Sequence, residues 1–174
     1  MSSYAEGKEF LEGWIRGRFP ESSTCLDVGA CDGMWWSRLG DYLVMDAVEI
    51  WMPNVKRNQL EGKYRQVFCA DAAELKYGEY DIVIFGDVIE HMTVEQAQQA
   101  IAYAKEHSRE IIVAVPFLYR QGAMYGNPWE AHLQEDLTPE KFDERYPGFR
   151  MIYRPKPNYA YYVHERREEN VHKG

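Results

Sequence analysis

Acidic side chains recur wherever an apolar run of this sequence ends. Leu26-Asp27-Val28-Gly29-Ala30-Cys31-Asp32-Gly33 closes the first run, Glu49-Ile50 the second and Asp71-Ala72 the third; Gly86-Asp87, followed by Glu90-His91, closes the fourth. Glycines at positions 29 and 33 let main chain come close to a bound molecule. Asp27 stands where a pyrophosphate binder avoids negative charge, so it suits a cationic group instead. Glu49 follows the glycine turn by roughly 20 residues, the spacing at which a carboxylate takes two ribose hydroxyls. Asp71 can accept from an exocyclic amine, the Ala72 amide can donate to a ring nitrogen, and Ile50 offers an apolar face to a base. Together these residues describe a site for a nucleoside with a positively charged tail. Two histidines add chemistry near neutral pH: His91, and His132 within Asn127-Pro128-Trp129-Glu130-Ala131-His132. Either could take a proton from an acceptor.

The acids can converge only if the runs that carry them are parallel. Apolar segments at 24–28, 42–50, 64–69, 81–85 and 110–115 read as strands, with helical patterns at 34–39, 53–60 and 93–107 among them. That alternation predicts an α/β fold with a parallel sheet, whose strand ends share one edge where ligands bind. Ile82-Val83-Ile84-Phe85 is apolar throughout, as a strand covered on both faces must be. A leading helix is expected over 4–19, within a leading segment 1–20 that Pro20 closes, and Thr93 with Gln96 marks the start of another. Residues 116–137 break the rhythm, with Gly122, Gly126 and Pro128 set among Tyr119, Tyr125 and Trp129, and read as a substrate loop. A helix from Thr138 to Tyr146 follows. Segments 149–154 and 159–164, joined by Pro155-Lys156-Pro157-Asn158, then form an antiparallel hairpin, because that link is too short for a crossover helix. Residues 165–174 read as a polar, frayed tail.

Composition narrows the partners. With 174 residues, 45% of them hydrophobic, one domain spanning 1–174 is expected. Twenty basic residues against 28 acidic ones give a net charge of -8, which argues against direct contact with nucleic acid. No charged leader precedes an apolar core, and no apolar run approaches the roughly 18 residues of a membrane span, so a cytoplasmic protein without membrane contact is expected. Cys25, Cys31 and Cys69 form no CxxC pair and no metal-ligand spacing, so reduced thiols and no metal are expected. The 13 tyrosines and 5 tryptophans suit a pocket or partner surface rich in rings.

In this order, the motifs resemble those of the class I S-adenosylmethionine-dependent methyltransferases. Residues 26–33 are similar to that family's first motif, Asp81-Ile82-Val83-Ile84-Phe85-Gly86-Asp87-Val88-Ile89-Glu90-His91 to its fourth-strand motif, and Val113-Ala114-Val115-Pro116 to its fifth-strand ending. The resemblance covers about 24–163 and implies a Rossmann-like three-layer sandwich, its seven-stranded sheet mostly parallel with the last strand antiparallel. It also implies S-adenosylmethionine as cofactor: Asp27, Gly29 and Gly86 at the methionine part, Glu49 at the ribose, and Asp71 with Ala72 at the adenine, with Ala30, Gly33, Ile50 and Asp87 also binding the cofactor. Cys31 departs from the pattern, standing where the first motif has its middle glycine. The acceptor site is then expected to be built from the leading helix and the 116–137 loop, with a second subunit of a homodimer as a further contributor left open. A protein or nucleic-acid acceptor, and a noncatalytic binder of the same fold, stay open as alternatives. A nicotinamide-dependent oxidoreductase would need G-x-G-x-x-G at the first turn, which this chain lacks.

Overall fold

The apolar runs become the strands of one seven-stranded sheet in the computed structural model, which describes residues 7–166. Five are parallel: β1 (Thr24–Val28), β2 (Val44–Val48), β3 (Val67–Phe68), β4 (Tyr80–Gly86) and β5 (Ser108–Pro116). The hairpin of β6 (Arg150–Lys156) and β7 (Tyr159–Glu165) completes the order β3-β2-β1-β4-β5-β7-β6, with β7 antiparallel to both neighbours. Register does the aligning. Val28 is level with Val48 on one side and Phe85 on the other, so Gly29, Glu49 and Gly86 leave the sheet side by side.

Helices cover both faces, which is why β4 is apolar at successive positions. Ile82 and Ile84 join a core with Leu11 and Ile15 of α1 (Lys8–Arg18) and Trp35 and Leu39 of α2 (Met34–Leu39). Val83 and Phe85 point the other way, to Ala97 and Ile101 of α4 (Val94–His107) and Phe142 of α5 (Pro139–Arg145). The short α3 (Met52–Arg57) places Val55 in the first of these cores. Thr93 caps α4 as its spacing to Gln96 predicts: the Gln96 N–H donates to Thr93 Oγ1 at 3.2 Å, and the Thr93 N–H donates to Gln96 Oε1 at 3.0 Å. Among the described residues no helix is long and apolar enough to cross a membrane.

Two strands are shorter than their sequence suggests. Only Val67–Phe68 of the segment 64–69 is strand, because the Tyr64 N–H closes the preceding turn on the Leu60 carbonyl and its ring turns into the core. Likewise Tyr42 and Leu43 direct their N–H groups to the Leu39 carbonyl, so β2 begins at Val44. The expected helix over 4–19 is seen from Lys8; its first residues, and most of the expected polar tail, lie outside the described residues.

Candidate functional site

The aligned strand ends open into a cleft lined by Gly29, Ala30, Glu49, Ile50, Asp71, Ala72, Gly86, Asp87, His91 and His132. Glu49 spans its floor. It is buried, and its two oxygens accept from different main-chain donors, Oε1 from Trp51 N–H and Oε2 from Cys31 N–H, both at 2.9 Å. Burial raises its pKa, and these two N–H groups oppose the rise by favouring the anion. Cys31 reaches Glu49 from a left-handed conformation, φ +46°, held by the Asn58 Nδ2 that donates to its carbonyl at 2.7 Å. On the far side, Asp71 Oδ1 accepts from Ala73 N–H at 2.9 Å and fixes the turn after β3.

The glycines serve the protein's own packing. A Cβ on Gly29 would lie 2.3 Å from Val88 Cγ2, and one on Gly86 2.4 Å from Trp35 Nε1. Both positions therefore exclude side chains before any ligand is considered.

Asp27 and Gly33 are the two expected site residues that do not line the cleft. Asp27 lies beneath it, 1% exposed, with Oδ2 accepting from the Tyr64 hydroxyl at 2.5 Å. Burial pushes its carboxyl up to about 7, although the Tyr64 bond and the Lys8 ammonium pull the other way. Lys8 therefore acts electrostatically on the acid for which the sequence predicted a cationic ligand. It is 1% exposed, its Nζ lying 3.9 Å from Asp87 Oδ2 and 4.8 Å from the Trp35 ring centre. Burial lowers its pKa, with Asp87 and Asp27 opposing.

At the other end of the cleft the two histidines meet, their ring centres 4.6 Å apart and nearly perpendicular. His91 Nδ1 is 3.2 Å from the Ala131 carbonyl and His132 Nδ1 is 2.9 Å from that of Tyr119. A neutral imidazole facing a carbonyl donates there, so each ring keeps its lone pair on Nε2. Burial pushes His91 down to about 4, helped by His132, and lowers His132 as well. Both are neutral at pH 7. Glu90, also on the cleft wall, is 2% exposed, and burial together with the Asp87 carboxylate raises its pKa well above the ordinary value.

No protein-family model matches the sequence, and no curated protein matches it. Solved structures do match. The magnesium protoporphyrin IX methyltransferase of Synechocystis PCC 6803, crystallised with S-adenosylhomocysteine, aligns at TM-score 0.64 and 18% identity over 90% of this chain and 81% of that one. An S-adenosylmethionine-dependent methyltransferase from Clostridium acetobutylicum gives TM-score 0.70 at 9% identity, covering 93% and 91%. A TehB-like methyltransferase from Corynebacterium glutamicum gives 0.66 at 11%, covering 90% and 86%. The chain has the class I methyltransferase fold.

Within this methyltransferase fold, Lys8 behind the cleft and Gln121 on its wall were not singled out in the sequence, while the loop expected to meet substrate does line the cleft. Lys8 was legible in principle, since it shares the buried stripe of α1 with Leu11 and Ile15, where a lysine has no reason to be unless it meets a carboxylate. Tyr119, Gln121, Asn127 and Trp129 line the cleft from the loop that follows β5, which contributes this wall of the site. Asn127 shapes the loop by accepting from the Trp129 N–H at 3.0 Å at the start of a 3-10 turn over Pro128–Glu130.

Proposed function

We propose that this protein is an S-adenosylmethionine-dependent methyltransferase that methylates an oxygen or nitrogen of a small molecule. The observation that carries the reading is Glu49: a buried carboxylate at the end of β2, level with Gly29 and Gly86, each oxygen anchored by one N–H and keeping lone-pair capacity for a vicinal pair of ribose hydroxyls. Ile50, Asp71 and Ala72 line the adenine side, while Gly29, Ala30, Gly86 and Asp87 border the methionine side. Asp27 and Gly33 act from behind that wall. S-adenosylmethionine supplies a methyl group activated by its sulfonium.

The rest falls to the chain's own groups. The loop aromatics Tyr119 and Trp129 and the His91–His132 pair hold the acceptor so that its lone pair lines up behind the methyl carbon, and this orientation supplies much of the acceleration. Transfer to the acceptor lone pair would leave the carbon–sulfur electron pair on the donor's sulfur. The acceptor's proton passes to an imidazole Nε2, with His132 and His91 as the catalytic residues. A net charge of -8 supports a small-molecule acceptor over a phosphate backbone. Three free thiols fit a reducing compartment such as the cytoplasm. Exposed Leu118, Tyr125 and Leu133 around the loop favour a second reading, in which a homodimer partner or a macromolecular acceptor covers the cleft.

Calorimetry tests the cofactor. Micromolar binding of S-adenosylmethionine and S-adenosylhomocysteine is expected, weakened about 10- to 100-fold in Glu49→Ala, the range for lost hydrogen bonds to a charged group. Binding of NADH with neither of these would overturn the proposal. Radiolabelled methyl donor incubated with metabolite fractions then identifies the acceptor.

A further inference from the structure

Three buried carboxylates of this protein are matched to donors at both oxygens. Asp46 takes Arg65 and the Tyr80 hydroxyl, Glu110 takes Trp14 and Arg18, and Glu49 takes two N–H groups. Glu90 differs from these three: it is buried, and its Oε2, like Asp27 Oδ1 beneath the cleft, has no hydrogen-bond partner among the described residues. One donor atom from each of Glu90, His91 and His132 lies within 4.8 Å of the other two. Because main-chain carbonyls occupy both Nδ1 atoms, the Nε2 lone pairs are what the imidazoles offer.

Three electron-pair donors thus face one another in a buried corner. A single proton can bridge at most two of them; a metal cation satisfies all three. The rings are already oriented as ligating histidines are, by carbonyls on their second nitrogen. The two segments are also fastened independently of any ion. The Glu90 carbonyl accepts from the Leu133 and Gln134 N–H groups at 2.8 and 3.1 Å, and Gln134 Nε2 donates to the Ile89 carbonyl at 2.7 Å. The cluster is therefore held in place on both sides.

The geometry points to a divalent metal site in which a Glu90 carboxylate oxygen and the Nε2 atoms of His91 and His132 hold one first-row transition ion at the acceptor end of the cleft. Two imidazoles and one carboxylate suit Mn²⁺, Fe²⁺, Co²⁺ or Zn²⁺ better than ions that demand an all-oxygen shell. Three protein ligands leave coordination positions open, and all three residues line the cleft. Resting on the methyltransferase reading, those positions take a hydroxyl oxygen of the acceptor. The acceptor atom is then oxygen rather than nitrogen; its pKa is lowered by the ion so that its proton leaves to solvent, and in this metal-bound form the imidazoles serve as ligands, the base role described above belonging to the metal-free site.

The test uses metal-stripped full-length protein titrated with Co²⁺, followed by calorimetry and visible absorption. One ion per chain is expected, with the d–d bands of nitrogen ligation. Glu90→Gln and His132→Gln should each weaken binding about 10-fold or more, the scale on which even supporting partners of metal ligands matter, while S-adenosylhomocysteine binding confirms that each variant is folded. No Co²⁺ binding by the wild type, or unchanged affinity in both variants, overturns the site. Absence of S-adenosylhomocysteine binding in a wild type that still binds Co²⁺ would instead strike the methyltransferase reading and leave the metal site standing.

Discussion

The Asp27→Asn substitution should stabilise the protein at alkaline pH and weaken its hold on the methyl donor. The Asp27 carboxyl is buried and moved from 3.8 to about 7, mainly by desolvation. An acid whose folded pKa is raised makes the native state bind more protons than the unfolded one between those values. Stability therefore falls as pH rises through that window and levels off above it. At about 1.4 kcal/mol per pH unit, the wild type loses on the order of 4 kcal/mol across the window through this one group. The introduced amide mimics the neutral acid and can still accept from the Tyr64 hydroxyl. Against that, Asp27 Oδ1 has no hydrogen-bond partner among the described residues, so an amide NH₂ there would be an unmatched donor costing about 1–3 kcal/mol. The net gain at pH 8 is about 2 kcal/mol. Lys8, which loses one of its three opposing acids, trims it further. Urea unfolding of both proteins at half-unit steps from pH 4 to 8 isolates Asp27 by difference, since Glu49 and Glu90 titrate in both. A difference that stays flat across the range, or a variant less stable than wild type at pH 8, would refute the desolvation argument.

Three further outcomes follow from single contacts. Assayed without added metal, His132→Ala should lower turnover about 10²-fold or more, the typical contribution of a positioned acid–base group, and leave calorimetric S-adenosylhomocysteine affinity little changed; near wild-type turnover would end the assignment. Thr93→Ala removes the acceptor for the Gln96 N–H in the α4 capping box and should cost about 1 kcal/mol in chemical denaturation. Cys31→Gly relieves a left-handed residue at φ +46°, a gain of about 1–2 kcal/mol that unfolded-chain entropy reduces by about 0.5–1, so a small rise in melting temperature is expected.

The parallel core was legible because β1, β2 and β4 are covered on both faces, which forces continuous apolar runs and leaves their polar ends conspicuous. The bounds of β3 were not: an edge strand of two residues carries no periodicity, and Tyr64 looked like part of it although its hydroxyl serves Asp27. The electrostatics of Asp27 were half legible. Its chemistry asked for a cation, but the sequence could not say that Lys8, one turn ahead of Leu11 on α1, sits close enough to act on it.

The histidine cluster marks a deeper limit. Glu90 and His91 are neighbours and could be read together, whereas His132 arrives from an irregular loop whose path is set by main-chain groups: its own N–H on the Gln121 carbonyl, and those of Leu133 and Gln134 on the Glu90 carbonyl. Every residue possesses such groups, so no residue type announces the contact. What does announce it is Gln134, buried in the loop, whose Nε2 reaches the Ile89 carbonyl while its Oε1 accepts from the Tyr146 hydroxyl at 2.8 Å and from Arg145 at 3.1 Å. A buried amide satisfied on both sides ties the turn after β4, the loop and α5 into one unit, and the pairing of His91 with His132 follows from that tie.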